Sequence, residues 1–396
     1  MTEAVRKERS PGMKLLLAAL VGFALMVPLM LVYALVWDRQ DQSNTAQGSI
    51  NAGWGGEQVV AGPVVVVPFK TNQVQNEQVD GKTISRTVEV ERELFLSPIE
   101  NQVATKVKPE ERKKSIYKSV LYEAEVTGTA KFALPADLAQ FGVTPDRLIW
   151  NRAELRMGAS DARGLTRGGK LVANGEALNV EPGKGPGATS GQGFFAFLPW
   201  DGEGTLNVEY GFGLRGSRSL SLVPRGGQTR WSIDSAWPSP SFGGAFLPES
   251  REISDDGFKA SYTVDKLALG QAPVSTEDQM APVIDSGNDG ARFSVPYPSV
   301  NDGGGRSQAL AVTVGLVEPV NLYSKVDRSV KYGFLFIGFT FLAFLLFDVV
   351  GGATVAAAEY LLTGAGLVLF FVLLLAFSEV IGFTPAYIVA SAAIIG

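Results

Sequence analysis

The sequence predicts a multi-pass α-helical membrane protein carrying a large antiparallel, β-rich, sandwich-like extracytoplasmic domain. Three observations carry that prediction. The 396 residues are 46% hydrophobic, and the mean hydropathy is positive at +0.13. The long uncharged runs lie near the two ends of the chain. Between them the pattern changes to short alternating segments punctuated by turn residues.

Residues 1–14 form a tail with Arg6, Lys7, Arg9 and Lys14. Residues 15–37, "LLLAALVGFALMVPLMLVYALVW", are 23 residues without a charge. At 1.5 Å per residue that spans ~30 Å of hydrocarbon. Pro28 is tolerated inside a membrane helix, and Tyr33 and Trp37 lie where aromatic rings favour the interface. The rival reading is a signal peptide, but the run exceeds an h-region and no A-x-A-like cleavage site follows. The basic residues before the run outnumber Arg39 after it, which predicts a cytoplasmic N-terminus and places residues 38–331 outside, in a periplasm.

Residues 38–331 read as strands: 59–69 "VVAGPVVVVPF", 87–96 "TVEVERELFL", 122–134 "YEAEVTGTAKFAL", 148–157 "LIWNRAELRM", 205–214 "TLNVEYGFGL" and 307–317 "SQALAVTVGLV". Asp80-Gly81, Asn174-Gly175, Asp201-Gly202, Asp256-Gly257 and Asp302-Gly303 supply turns. Residues 135–141 read as one short helix begun by a proline. The span is long for one sandwich, which predicts two subdomains. A loose pattern shared by "YEAEVTGTAKFALP" and "VEYGFGLRGSRSLSLVP" hints at a duplication.

Residues 332–350 form the second apolar span, 351–359 a short cytoplasmic loop, and 360–378 the third span. From Pro385 only about 12 residues remain, too few to cross, so 385–396 reads as the start of an incomplete fourth helix.

Composition removes whole classes of chemistry. With no Cys and no His, thiolate nucleophiles, Ser-His triads and Cys/His zinc sites are excluded. A formal net charge of −5 gives no footprint for nucleic acid. Gly211 to Gly216 fits G-x-G-x-x-G but lies inside a strand pattern, and Gly164 to Lys170 lacks the Ser/Thr of a phosphate loop, Leu171 standing there instead. "DSGNDG" at 285–290 resembles the start of a calcium loop, but Gly287 offers no ligand and Pro296 takes the place of the bidentate Glu. Asp255-Asp256 and Glu277-Asp278 are adjacent in sequence, so each pair points to opposite faces of an extended chain. No catalytic residue, cofactor site or metal site is expected.

Two groups of residues remain as candidates. Asp348, Glu359 and Glu379 close apolar runs; Asp348 and Glu379 are candidate membrane-end acids, with no intramembrane cation in view. In the outer domain, Asp161 and Arg163 of "SDARGL" either share a strand face and pair or contact a ligand, or fix a turn. The stretch 234–248, "DSAWPSPSFGGAFLP", cannot be a central strand, because its prolines lack amide donors. Trp237 and Ser239 are expected to be extended and Gly243-Gly244 to reverse the chain, with Trp237, Phe242 and Phe246 either plugging the core or forming an apolar recognition lip.

The stretch "SAWPSPSFGGAFLP" at 235–248 resembles the W-P-x-P-S-F-x-G-x-F-L-P signature of the CreD family of bacterial inner-membrane proteins. Further pieces agree in order: "GPVVVVP" (62–68), "SDARGL" (160–165), "LNVEPG" (178–183), "KYGFLFIGFTFLAFLLFD" (331–348) and "YLLTGAGLVLFFVLLLAFSEVIGFTPAYIVAS" (360–391). Such proteins usually continue into further membrane helices, so the resemblance implies a sequence cut short at Gly396. It also implies a role in cell-envelope integrity, in some bacteria with a two-component system and the response to β-lactams. It supplies no active site. The expected partners are membrane lipids and an envelope protein or cell-wall component. The expected function is a non-enzymatic envelope-stress protein, with a transporter or channel component and a carboxylate-dependent cell-wall hydrolase as alternatives.

Overall fold

The computed structural model describes residues 10–79, 82–283, 308–316, 322–351 and 355–396. The turns at Asp80-Gly81 and Asp302-Gly303, the 285–290 loop and Arg6, Lys7 and Arg9 lie outside the described residues. The chain divides into two compact units. The helical unit holds Met1–Gly48, Lys114–Tyr117 and Val320–Gly396; the β unit holds Ser49–Lys113 and Lys118–Pro319.

In the helical unit, α1 (Pro11–Ala52) extends well past the apolar run, its last residues counting with the β unit. Helix α2 is a single turn of the β unit (Lys266–Leu269). Helices α3 (Leu322–Lys331) and α4 (Gly333–Val349) meet at Tyr332, followed by α5 (Ala357–Ile381) and α6 (Phe383–Ile395). Among the described residues three segments are long and apolar enough to cross a membrane: Pro11–Ala52, Leu322–Val349 and Ala357–Ile381. Helix α6, with 13 residues, is shorter. Ala18, Val21, Leu25, Leu29, Val32 and Val36 recur every three or four positions on α1, so they fall on one face. That face joins Ile337, Phe341, Phe371 and Leu374 in one apolar cluster. Gly364 lets it close: a Cβ there would lie 2.1 Å from Leu25 Cδ1. Small residues allow such backbone approach where lipid supplies no hydrophobic drive between helices.

The strands of the β unit are β1 (Gln58–Val79), β2 (Lys82–Leu96), β3 (Glu100–Lys114), β4 (Tyr117–Ala133), β5 (Glu154–Ala159), β6 (Leu165–Ala173), β7 (Glu176–Ala177), β8 (Glu181–Pro182) and β9 (Gly193–Phe197). They continue with β10 (Thr205–Ser217), β11 (Ser219–Val223), β12 (Gln228–Ser235), β13 (Pro240–Gly244), β14 (Ser250–Ser254), β15 (Gly257–Asp265), β16 (Val274–Ser275) and β17 (Val312–Leu316). One sheet runs β13-β17-β11-β1-β5-β9-β8, with β2 beside β1 and β16 beside β2; the other runs β14-β15-β12-β3-β4-β10-β6-β7. Both sheets contribute to a single core, from Val65, Val67 and Leu155 on one side and Val103, Tyr122 and Trp231 on the other. The "VVVV" of β1 is buried throughout, as a strand covered on both faces requires.

Several expectations change here. The sheets are mixed, because β1 pairs in parallel with β11 and β3 with β12. The β unit is one compact unit whose described strands form two sheets. The helix expected over 135–141 is a single 3-10 turn at Ala139–Phe141, and "LIWNR" makes another at Trp150–Arg152 before β5 begins. The phosphate-loop-like segment is the strand β6. The two stretches with a shared pattern lie side by side, β4 pairing with β10.

Candidate functional site

Asp161 and Arg163 sit in a 3-10 turn, so the strand alternative is set aside. Asp161 Oδ1 accepts from the Arg163 amide at 3.1 Å and from Arg163 Nε at 2.9 Å, and Oδ2 accepts from Nη2 at 2.8 Å. Gly56 N also donates to Oδ2 at 3.3 Å. The guanidinium, aided by the Gly56 and Arg163 amides, holds this carboxyl below the usual carboxylate range. Buried Gln58 completes the arrangement: its Nε2 donates to the carbonyls of Asp161 and Arg215, and its Oε1 accepts from Asp161 N. Gly164 makes room for it, since a Cβ there would meet Arg215 O at 2.3 Å and Gln58 Nε2 at 2.4 Å. "SDARGL" is therefore a backbone clamp on the chain that follows α1.

The same clamp contains a residue that sequence reasoning missed. Trp54 lies between two guanidinium groups, Arg112 and Arg215, each 4.2 Å from its ring centroid. Its Nε1 donates to Tyr122 O at 3.2 Å, and Arg215 is held by Glu123 at 3.1 Å. No local pattern announces it, because Trp54, Arg112 and Arg215 come from three distant segments.

The aromatic stretch forms an edge strand. Pro240–Gly244 is β13, the terminal strand of its sheet, paired only with β17 among the described residues. An edge position tolerates the missing proline amide. Gly243 and Gly244 pair with Thr313 and Val312, so the expected reversal does not occur there. Trp237, Phe242 and Phe246 are half-buried against the main core, and Phe242 meets Phe258 edge to face at 5.7 Å. Their arrangement is closer to a plug than to a lip.

In the helical unit both acids have cationic partners, contrary to the expectation of none. Lys14 Nζ lies 2.7 Å from Asp348 Oδ1, the side chains being 20% and 3% exposed. Arg39 Nε lies 3.9 Å from Glu379 Oε1, which also accepts from Tyr323 OH at 3.1 Å. Glu359 lies in the first turn of α5, where a carboxylate complements the helix dipole.

The carboxylates considered for hydrolysis do not converge. Asp255 and Asp256 are exposed in the turn between β14 and β15. Asp278 is engaged by buried Arg225, Nη1 to Oδ1 at 2.9 Å, and accepts from Gly187 N at 2.6 Å. Glu154 is likewise engaged, by Arg156 at 2.8 Å and Lys184 at 2.5 Å. Among the described residues no group of three or more His, Cys, Asp or Glu could hold a metal.

The outer face of the eight-stranded sheet forms a groove of about 700 Å³. Its floor crosses the strands through Ser261, Ser232 and Ala104 in register, and through Thr127 and Gly211.

The family described as "Inner membrane protein CreD" matches residues 10–396. The chain belongs to the CreD family. The Escherichia coli (strain K12) inner membrane protein CreD is 31% identical over 371 residues, covering 93% of this chain and 75% of that protein. A CreD-family chain is an inner membrane protein, in keeping with the three apolar spans. Two solved structures of an M1 zinc metallopeptidase from Deinococcus radiodurans, one of them a substrate-bound mutant, overlap 56% of the chain and 42% of their own. At 9% identity and TM-scores of 0.22 and 0.23, they carry no argument about this CreD-family chain.

Proposed function

We propose that this chain is a non-enzymatic protein of cell-envelope integrity and the envelope stress response, whose β unit lies in the periplasm and binds an envelope component or protein partner. The observation that carries the reading is the wide groove on the eight-stranded sheet. Its lining combines hydroxyls and small side chains with Lys170, Glu209 and Arg230, a polar and charged surface able to hold a partner by many contacts. The engagement of Glu154 and Asp278 with buried Arg156 and Arg225 supports it, because both carboxylates are spent as structural partners inside the β unit. The pairing of Asp348 and Glu379 with Lys14 and Arg39 disfavours an ion path lined by those acids.

Complementation tests the reading. Cells lacking the gene should regain envelope integrity with the full chain and not with a chain lacking residues 58–316, and crosslinking in membranes should capture a partner through the β unit. Rescue by the shortened chain, provided it inserts, overturns the proposal. The absence of native cysteine makes topology directly readable. A single cysteine at exposed Thr129 should react with an impermeant maleimide from the periplasmic side, and protection there overturns the orientation.

A further inference from the structure

A second groove of the β unit, of about 690 Å³, lies within the ~300–1,000 Å³ typical of small-ligand sites. It is built from three separate pieces: the 3-10 turn at Trp150–Arg152, the residues around β7, and the segment leaving β9. We propose that this groove binds a neutral glycan chain, one sugar ring seating against its aromatic wall. The assignment rests on the reading of the β unit as a binding module and names the chemistry it recognises.

The wall is exposed Phe197 and half-buried Trp150, backed by Trp200, which is itself buried. Trp150 and Trp200 meet edge to face at 5.4 Å, and Trp200 is locked by its Nε1 donating to Glu203 O at 2.9 Å. Gly202 closes against the Trp150 ring, where a Cβ would lie 2.3 Å from Cζ2. The two tryptophans are thus fixed before any ligand arrives, which lowers the entropy lost on binding. Phe197 is 52% exposed and offers the most open aromatic face of the groove.

The rim is polar and of one kind. Asn151 and Asn179 present amides, able to donate and accept, and Glu176 and Asp201 present acceptors. Asp201 is oriented by accepting from Glu203 N at 3.0 Å. Among the described residues no Lys or Arg lines the groove. The nearby ammonium of Lys184, 5.9 Å from the Phe197 ring, is held by Glu154. Two carboxylates and no cation reject phosphate, sulfate and carboxylate ligands. A purely apolar ligand would leave four polar side chains without reward. A ring with an apolar C–H face and equatorial hydroxyls satisfies both the aromatic wall and the rim. Asn179 belongs to "LNVEPG", a motif to which the envelope reading gives no task.

The test uses the full chain in lipid nanodiscs prepared without glycoside detergents, whose sugars would compete. Tryptophan fluorescence and saturation-transfer NMR follow titration with chitotetraose, maltotetraose and the anionic tetragalacturonate. Saturable binding of at least one neutral oligosaccharide is expected, with tetragalacturonate weaker. Phe197→Ala and the double variant Asn151→Ala/Asn179→Ala should each weaken it roughly tenfold or more. Both substitutions fall at exposed positions, so the melting temperature should hold. Thr129→Ala, in the other groove, should leave affinity unchanged. Failure of both neutral sugars to bind at millimolar concentration, or equal affinity for wild type and variants, overturns the assignment. If that happens while membrane crosslinking still captures a partner through the β unit, only the glycan assignment falls and the envelope reading stands.

Discussion

Removing Asp278 should destabilise the β unit strongly, because it leaves a buried charge without its partner. Arg225 is 4% exposed and Asp278 15%, with Nη1 and Oδ1 2.9 Å apart. Asp278→Ala leaves the guanidinium buried with Ser97 Oγ, at 3.1 Å from Nε, as a neutral neighbour. It also takes the acceptor from the amides of Gly187 and Gln279, at 2.6 and 2.9 Å. Breaking a buried pair in this way costs about 3–5 kcal/mol, because one charge stays uncompensated. At ~2–4 °C per kcal/mol, the expected fall in melting temperature is on the order of 6–20 °C. Trp37 alone among the six tryptophans lies outside the β unit, so tryptophan fluorescence of the full chain in nanodiscs reports that unit's transition. A control separates charge from packing: Arg225→Met/Asp278→Asn removes both charges and should recover most of the loss. A fall of less than ~2 °C for Asp278→Ala, or a double variant as unstable as the single one, would refute the reasoning.

The depressed pKa of Asp161 gives a pH prediction. Its contribution is present above the ~3.9 of an unfolded Asp and lost as pH falls through the lower folded value, so Asp161→Asn should lower stability at neutral pH and converge with wild type in acid. Melting curves from pH 7 down to about 3 check this, and a constant difference throughout would count against the clamp. In the helical unit, Lys14→Asp places two carboxylates together and should reduce membrane-integrated protein several-fold, whereas Lys14→Asp/Asp348→Lys should restore it. Quantitative immunoblots of washed membranes read both, and equal loss in single and double variants would argue against the pair.

What could be read from the sequence follows from which interactions are local. The apolar spans and β1 show themselves because every residue in them reports the same environment. Strands β3 and β12 escape notice because their inward positions are partly polar. Asn101 and Thr105 face in on β3, and Thr229 and Ser235 on β12. Two of these hydroxyl and amide groups find buried aromatic partners: Tyr210 OH donates to Asn101 Oδ1 at 2.8 Å, and Trp231 Nε1 to Thr105 Oγ1 at 2.9 Å. Alternation of hydrophobicity cannot reveal a strand whose inward hydrogen bonds are made by residues more than a hundred positions away. The clamp was half legible for the same reason. Asp161 and Arg163 are two positions apart and their pairing was anticipated, but Gln58, Arg215 and Trp54 join them only through the fold.

The acids at the ends of the membrane helices show most clearly how a missing partner changes a functional argument. Read alone, Asp348 is an uncompensated charge closing an apolar run, either a functional candidate or a helix end reaching headgroups and water. Its partner is 334 positions away. On α1, Lys14 and Arg39 are 25 positions apart, about 37 Å at 1.5 Å per residue, slightly more than the ~30 Å of hydrocarbon. Each cation therefore reaches the edge of the bilayer at opposite ends of one helix, and each meets a carboxylate ending another. A pair at each border ties α1 to α4 at one end and to α5 at the other. It also gives α1, α4 and α5 a preferred depth, since sliding either charge into hydrocarbon is unfavourable. Both acids can thus be read as helix anchors, which supports the non-transport reading proposed above.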